Sequence, residues 1–293
     1  GEIGLSPIAH LQESKRKLYE VITYIGSLIL IPIIILMVAN TVYTDYFMMI
    51  IGPASIIYLF YEMRNLSSIE NKKLLAALVF IIFSIFFWAF YEQSGGSLSL
   101  FAANNLNNKL LGMELDPNGV NNASGALFVI FFAALLGVLW IWMAKRKIEP
   151  NTVVKFGLGF LFLAGGFWVF YYTKFLAGPD GKTSLNLFTF GWFIITFGEL
   201  CLSPIGMSAM TKLSPQKLQA VIMGMWFLAS AYGQYFAGLL GANIAEASEN
   251  ASNLEKLNTY ADGYQQLAIY ALVAGIVLIV ISPLVKKLMQ DVK

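Results

Sequence analysis

The sequence predicts an all-α integral membrane protein of about eight crossing helices. Three observations predict it. Hydrophobic residues make up 58% of the 293-residue chain and charged residues 12%, with a mean hydropathy of +0.68, a balance far from that of soluble domains. Eight runs are apolar on every face and approach the ~20 residues that cross a ~30 Å hydrocarbon core, whereas barrel strands alternate apolar and polar positions. The connections between the runs alternate in charge, as they do in a bundle threaded back and forth through a membrane.

The runs are 18–39, 46–61, 74–103, 123–144, 152–173, 185–210, 217–244 and 264–289. Ahead of the first lie Glu2, His10, Glu13 and the cluster Lys15-Arg16-Lys17, which lack the apolar core of a cleavable signal peptide. Residues 1–17 therefore read as a cytoplasmic linker with His10 solvated. The chain begins at Gly1 rather than Met, amid Pro, Gly and small residues, and is expected to be a piece of a longer polypeptide. The second run is the shortest, and the charge pattern retains it as the returning arm of a hairpin within 18–73. The other six runs fill 74–293.

One side of the bundle is basic. It holds Lys15, Arg16, Lys17, Arg64, Lys72, Lys73, Lys145, Arg146, Lys147, Lys155, Lys212, Lys217, Lys286, Lys287 and Lys293, while the opposite loops hold only Lys109, Lys174, Lys182 and Lys256 of the 19 Lys and Arg residues. By the positive-inside rule, all eight runs cross, or at least an even number of them do, and both ends of the chain face the cytoplasm. The longer outer loops are expected at 104–122, where Asp116-Pro117-Asn118-Gly119 reads as a turn, around Gly178-Pro179-Asp180-Gly181, and at 246–263, where Glu246, Glu249 and Glu255 form a solvated face.

Several function classes fall away on composition. A single cysteine, Cys201, allows no intramolecular disulfide and no multi-cysteine metal site, and a single histidine allows no histidine metal cluster. No metal or other cofactor is expected. The net charge of +2 comes with no nucleic-acid-binding pattern. An enzyme using two buried carboxylates as acid and base is the competing class, but no nucleophile–histidine pair, metal-ligand set or phosphate loop supports it.

Two carboxylates, Glu92 and Glu199, interrupt the apolar runs. An ionisable group at membrane depth is costly unless paired, hydrated or neutral, so each is a candidate functional residue; the alternative is an interhelical bond that only locks packing. Trp88 lies four residues before Glu92 and Ser203 four after Glu199, so each pair shares a helix face. Pro204 frees a backbone carbonyl and is expected to bend its helix where a cavity is lined. Gly233, Ala237 and Gly241 form a small-residue ladder suited to close helix packing. Gly95-Gly96 serves as a hinge or a packing notch. Trp140 and Trp142 read as interfacial anchors, and Trp226 as a buried aromatic whose indole N–H needs a partner or a wet cavity.

Phe87-Trp88-Ala89-Phe90-Tyr91-Glu92-Gln93-Ser94-Gly95-Gly96-Ser97 and Phe197-Gly198-Glu199-Leu200-Cys201-Leu202-Ser203-Pro204-Ile205-Gly206 resemble the seventh- and tenth-helix motifs of the proton-dependent oligopeptide transporters of the major facilitator superfamily. The spacing from Glu199 to Trp226 resembles that family too, and the likeness covers almost the whole chain. It implies a carboxy-terminal six-helix bundle at 74–293 preceded by an inserted two-helix hairpin. It further implies that Glu199 pairs with the amino terminus of a di- or tripeptide, that Ser203 assists, that Trp88 and Trp226 wall side-chain pockets, and that Glu92 couples or gates protons. The family's eighth-helix asparagine is left unassigned between Asn121 and Asn122. The amino-terminal six-helix bundle, with its Glu-x-x-Glu-Arg motif, is expected to be the missing partner.

The resemblance thus implies half of a proton-coupled peptide symporter in the inner (plasma) membrane, with peptide, protons, lipid bilayer and the amino-terminal bundle as partners and no nucleic acid. Two alternatives stand beside it: a carrier of another small solute such as nitrate, and a membrane scaffold or assembly protein that needs a partner chain.

Overall fold

The computed structural model describes residues 12–244 and 251–292. His10, Glu246, Glu249 and Lys293 lie outside the described residues. Backbone contacts divide the chain into two units, one ending at Arg64 and the other beginning at Asn65; α3 of the second unit starts at Ser68, ahead of the 73/74 boundary expected.

The first unit is a helical hairpin, α1 (Glu13–Ala39) and α2 (Thr41–Met63). Residues 13–17, expected in a linker, are helical because Lys17 pairs with Glu13 at 2.8 Å and Arg16 with Glu20 at 3.5 Å across one turn. Asn40 joins the helices in an extended conformation: its N–H bonds back to the Leu36 carbonyl and its side chain accepts from the Val42 N–H at 3.1 Å. Thr44 Oγ1 then donates to the Met37 carbonyl at 2.9 Å. The second apolar run therefore begins at Thr41 rather than Tyr46, its polar first turn spent on the hairpin.

The second unit opens with α3 (Ser68–Tyr91), whose start is fixed by a capping box between Ser67 and Glu70. The expected continuous run 74–103 is in fact two helices. Helix α3 ends at Tyr91 with Glu92 as its C-cap, and α4 (Ser97–Asn105) starts after Gly96, whose φ of −122° and ψ of −113° are not helical. Buried Gln93 holds the break together. Its Nε2 donates to the carbonyls of Ala89 and Ala237, each at 3.2 Å, and its Oε1 accepts from Ser97 Oγ at 2.8 Å.

Past α4 a short antiparallel pair, β1 (Lys109–Leu110) and β2 (Met113–Glu114), turns through Leu111 and Gly112. Both have positive φ, at 51° and 85°, as two-residue hairpin turns demand. Asp116-Pro117-Asn118-Gly119, expected as a turn, instead begins α5 (Pro117–Lys145). Asp116 accepts from the Gly119 N–H at 2.7 Å and Pro117 takes the first helical position, where a proline has no N–H to waste.

Helices α6 (Thr152–Tyr172), α7 (Leu185–Leu213), α8 (Gln219–Ile244) and α9 (Asn253–Met289) complete the unit. Helix α9 starts well ahead of the expected 264, from a capping box between Ser252 and Glu255. Leu257, Tyr260, Ala261 and Tyr264 make a buried stripe on its polar first turns, an amphipathic signal that mean hydropathy hides. Helix α7 runs through Pro204 as one helix.

Glycines set the closest approaches. A Cβ at Gly159 of α6 would lie 3.0 Å from the Gly198 carbonyl of α7, and one at Gly275 of α9 would lie 3.0 Å from the Gly157 carbonyl of α6. The ladder Gly233, Ala237, Gly241 is buried on α8, with Gly233 seated on Trp88 of α3 and Gly241 facing Gln93 and Gly96, as its spacing predicts.

Contacts at each end of the unit agree with the charge pattern. Lys73 pairs with Asp291 at 2.5 Å at the lysine-rich end, and Lys174 with Asp262 at 2.6 Å at the other. At that second end Asn105 Nδ2 also donates to the carbonyls of Gly181 and Asn253, at 2.9 and 2.7 Å. Among the described residues, seven helices are long and apolar enough to cross a membrane. The run 217–244, expected as an eighth, forms α8 but is more polar, carrying Gln219, Ser230, Tyr232, Gln234, Tyr235 and Asn243.

Candidate functional site

The last turn of α3 presents adjacent residues to different neighbours, because successive helical positions are about 100° apart. Trp88 and Glu92 both face α8: the Trp88 Cβ packs on Gly233, and Gln234 Nε2 approaches Glu92 Oε1 at 3.5 Å. Tyr91 faces α7 instead. Its hydroxyl donates to Glu199 Oε2 at 2.5 Å.

Around that bond the walls are aromatic. The Tyr91 ring stacks on Phe87 at 5.6 Å and meets Trp88 and Trp192 edge-on at 5.3 and 5.9 Å. Helix α5 can close over it because residue 125 is glycine: a Cβ there would lie 3.3 Å from the Tyr91 hydroxyl. Asn121, one turn earlier, is buried and ties three elements together. It donates to the Ser94 carbonyl at 2.9 Å and accepts from Trp192 Nε1 at 3.2 Å, which pins the α3–α4 break and α7 to α5. Asn122 is exposed.

Glu92 and Glu199 are both half-buried and are linked through Tyr91, the neighbour of Glu92 in the chain, whose hydroxyl bonds to Glu199. Two carboxyl groups with a tyrosine hydroxyl and a carboxamide beside them, and no cationic side chain bonded to either among the described residues, make a site suited to a cation or a proton. Ser203, one turn beyond Glu199, is half-buried. The Trp88 indole N–H is buried with no partner among the described residues. No three His, Cys, Asp or Glu side chains come together among the described residues in a way that could hold a metal ion.

The structure thus brings Trp88, Glu92 and Glu199 together, with Ser203 one turn away. Trp226 is set apart from them. It is 2% exposed, packs against Gly206 of α7, where a Cβ would run into its ring, and meets Phe156 of α6 at 6.1 Å. Gly206 lies about two turns beyond Glu199, on the order of 10 Å along the helix.

Sequence reasoning missed Tyr91, Gln234 and Gln93 as members of the site. Tyr91 carried a signal: a tyrosine deep in an apolar run needs a partner for its hydroxyl, and a carboxylate elsewhere in the bundle is the strongest acceptor on offer. Gln234 carried none, since nothing local distinguishes it from other polar residues of α8.

Comparison with known proteins fits this geometry. Residues 22–260 match the POT family. The chain is 33% identical over 238 residues to "Peptide transporter YePEPT" of Yersinia enterocolitica, covering 80% of this chain and 44% of that protein. It is 26% identical over 290 residues to "Dipeptide and tripeptide permease B" of Aeromonas hydrophila, covering 99% and 57%. The crystal structure of peptide transporter POT in complex with sulfate superposes with a TM-score of 0.70 at 26% identity, over 96% of this chain and 56% of that one. A variant of the same transporter in complex with alafosfalin gives the same score and identity, over 96% and 55%. The chain spans about half the length of the relatives it matches. With a match over most of its residues and an all-helical membrane fold shared with solved members, this chain belongs to the POT family, a family of transporters rather than enzymes.

Proposed function

We propose that this chain is the carboxy-terminal bundle, with its inserted hairpin, of a proton-coupled symporter of di- and tripeptides. The observation that carries the proposal is Glu199, a carboxylate in the middle of α7 held by the Tyr91 hydroxyl at 2.5 Å. One oxygen is oriented by the tyrosine, and lone pairs remain to accept from a ligand ammonium. Ser203 extends the polar face by one turn, and the half-buried Trp88 supplies an apolar wall. Trp226 acts in this reading as a pocket wall reached only when α7 and α8 shift at Gly206.

Glu92 is the proton-coupling residue of the proposal. It sits on the α3–α4 break beside Gln234, so a change in the angle of that break changes what faces it, and a carboxyl's protonation follows its surroundings. A central site exposed alternately to the two sides by rocking of two bundles gives the coupling its cycle. The amino-terminal bundle supplies the other half of the cavity. The names of the relatives, peptide transporter and dipeptide and tripeptide permease, support peptide as the solute. The loop charges support the cell inner membrane with both ends of this chain cytoplasmic.

Uptake of a labelled dipeptide into proteoliposomes under an inward proton gradient tests the reading, with this chain alone and with this chain joined to a relative's amino-terminal bundle. Accumulation in the joined form, abolished when the gradient is collapsed, is the expected result. Correctly folded joined protein that moves no peptide would refute it and turn attention to another small solute.

A further inference from the structure

Two adjoining cavities meet at the lysine-rich end of the second unit. One, of about 360 Å³, lies between α5 and α7 and is walled by Leu136, Gly137, Leu200, Pro204 and Ile205. The other, of about 440 Å³, opens among Asn151, Lys286 and Val292. Glu149, Thr152, Lys155 and Lys212 line both, so the two form one recess, an apolar cleft that leads to a cationic mouth.

The charges in that mouth are not balanced. Lys155 is 8% exposed, pairs with Glu149 and lies 4.6 Å from the centre of the Trp140 ring; it is a neutralised part of the wall. Lys212 and Lys286 are exposed and form no ion pair among the described residues. Beside the cleft, Leu135, Val138 and Leu139 of α5 are exposed apolar residues, and Arg146 rests 4.4 Å from the Trp142 ring, a pairing suited to the level of lipid headgroups.

A soluble anion would use the mouth and leave the cleft empty, and a hydrocarbon would do the reverse. An amphiphile with an anionic head uses both. We propose that this recess binds an anionic phospholipid, with its phosphate between Lys212 and Lys286 and the first part of one acyl chain between α5 and α7. Basic pockets between membrane helices are suited to such headgroups. The recess lies on residues distinct from Glu92, Glu199 and Tyr91.

Native mass spectrometry of the whole chain, released from detergent with phosphatidylglycerol or phosphatidylcholine, tests the site. Each lysine near a lipid surface is worth about fivefold in affinity, so Lys212→Gln with Lys286→Gln is expected to lower phosphatidylglycerol retention about 25-fold towards the phosphatidylcholine level. Lys109→Gln, at the opposite end, is expected to leave it unchanged. Gly137→Leu tests the cleft with the lysines intact: a Cβ at 137 meets nothing within 4 Å, so a side chain can start there into the cleft, and the variant is expected to reduce retention. Equal retention of the two lipids by the unaltered chain, or unchanged retention in both the lysine and the Gly137 variants, would overturn the proposal. Displacement of the lipid by millimolar inorganic phosphate would replace it with a site for a free anion.

Discussion

Glu199 and Glu92 are both carboxylates in an apolar setting, yet their partners give them different prospects. Glu199 has a short bond from a neutral hydroxyl at 2.5 Å, whereas Glu92 has only a long approach from Gln234 at 3.5 Å. In the proposed function the first is oriented to receive a ligand, and the second, more loosely held, is the one that changes state. In the joined transporter, Glu199→Gln is expected to weaken dipeptide binding by roughly 2–5 kcal/mol, the usual loss when one partner of a buried charged hydrogen bond is truncated. Tyr91→Phe should weaken it by only about 1 kcal/mol, since it removes an orienting bond and not the charge. Calorimetric titration separates the two, and wild-type affinity in the Glu199 variant would end its assignment. For Glu92→Gln the expectation is loss of proton-driven accumulation with counterflow retained, and unaltered accumulation would remove Glu92 from the coupling step. Both acids were legible in the sequence, because charge inside an apolar run is conspicuous. Their partners were not. Tyr91 adjoins Glu92 in the chain yet serves Glu199, 108 residues away, and only the rotation of α3 against α7 decides that.

Among the elements, the pair α3 and α4 shows where hydropathy stops being informative. The residues from 74 to 103 read as one run, and Gly95-Gly96 left hinge and notch as equal readings. The structure breaks the helix there, and the cause is a side chain. Gln93 takes up backbone carbonyls on α3 and α8 and receives Ser97, so the break is bonded on both sides. Replacing Gln93 with Leu strands the Ala89 carbonyl, whose helical partner, the Gln93 N–H, bonds to the Tyr91 carbonyl instead, and takes the acceptor from the Ser97 hydroxyl. At about 1–3 kcal/mol for a buried polar group left without a partner, the variant is expected to lose on the order of 2 kcal/mol of stability, read as a lower melting temperature of the detergent-purified chain. A melting curve superimposable on that of the unaltered chain would mean that the glycines alone shape the break. Helix α9 failed in the opposite direction. Its polar first turns looked like loop, and the stripe from Leu257 to Tyr264 was visible only by counting threes and fours.

At the scale of the whole molecule, the number of crossings follows from charge better than from hydropathy. Helix α4 has 9 residues, about 14 Å at 1.5 Å per residue, too short to cross by itself; with α3 it completes one passage. Helix α8 has 26 residues but falls outside the set apolar enough to cross. The positive-inside pattern predicts that it crosses all the same, with Lys212 before it at the basic end and Lys256 after it at the other. Its polar residues are then the expected signature of a helix that faces a wet cavity, not a sign of a surface segment. Single cysteines at Lys109, Lys182 and Lys256 should therefore react with an impermeant maleimide from one side of the membrane, and those at Lys145, Lys212 and Lys287 from the other. The native Cys201 is 1% exposed and should add little background. If Lys256→Cys and Lys212→Cys react from the same side, α8 does not cross; α9 would then have to enter from the basic side, and Lys286 and Lys287 would end on the wrong one. That second misplacement makes the result checkable within the same set of variants, since the label at Lys287 must switch sides together with the label at Lys256.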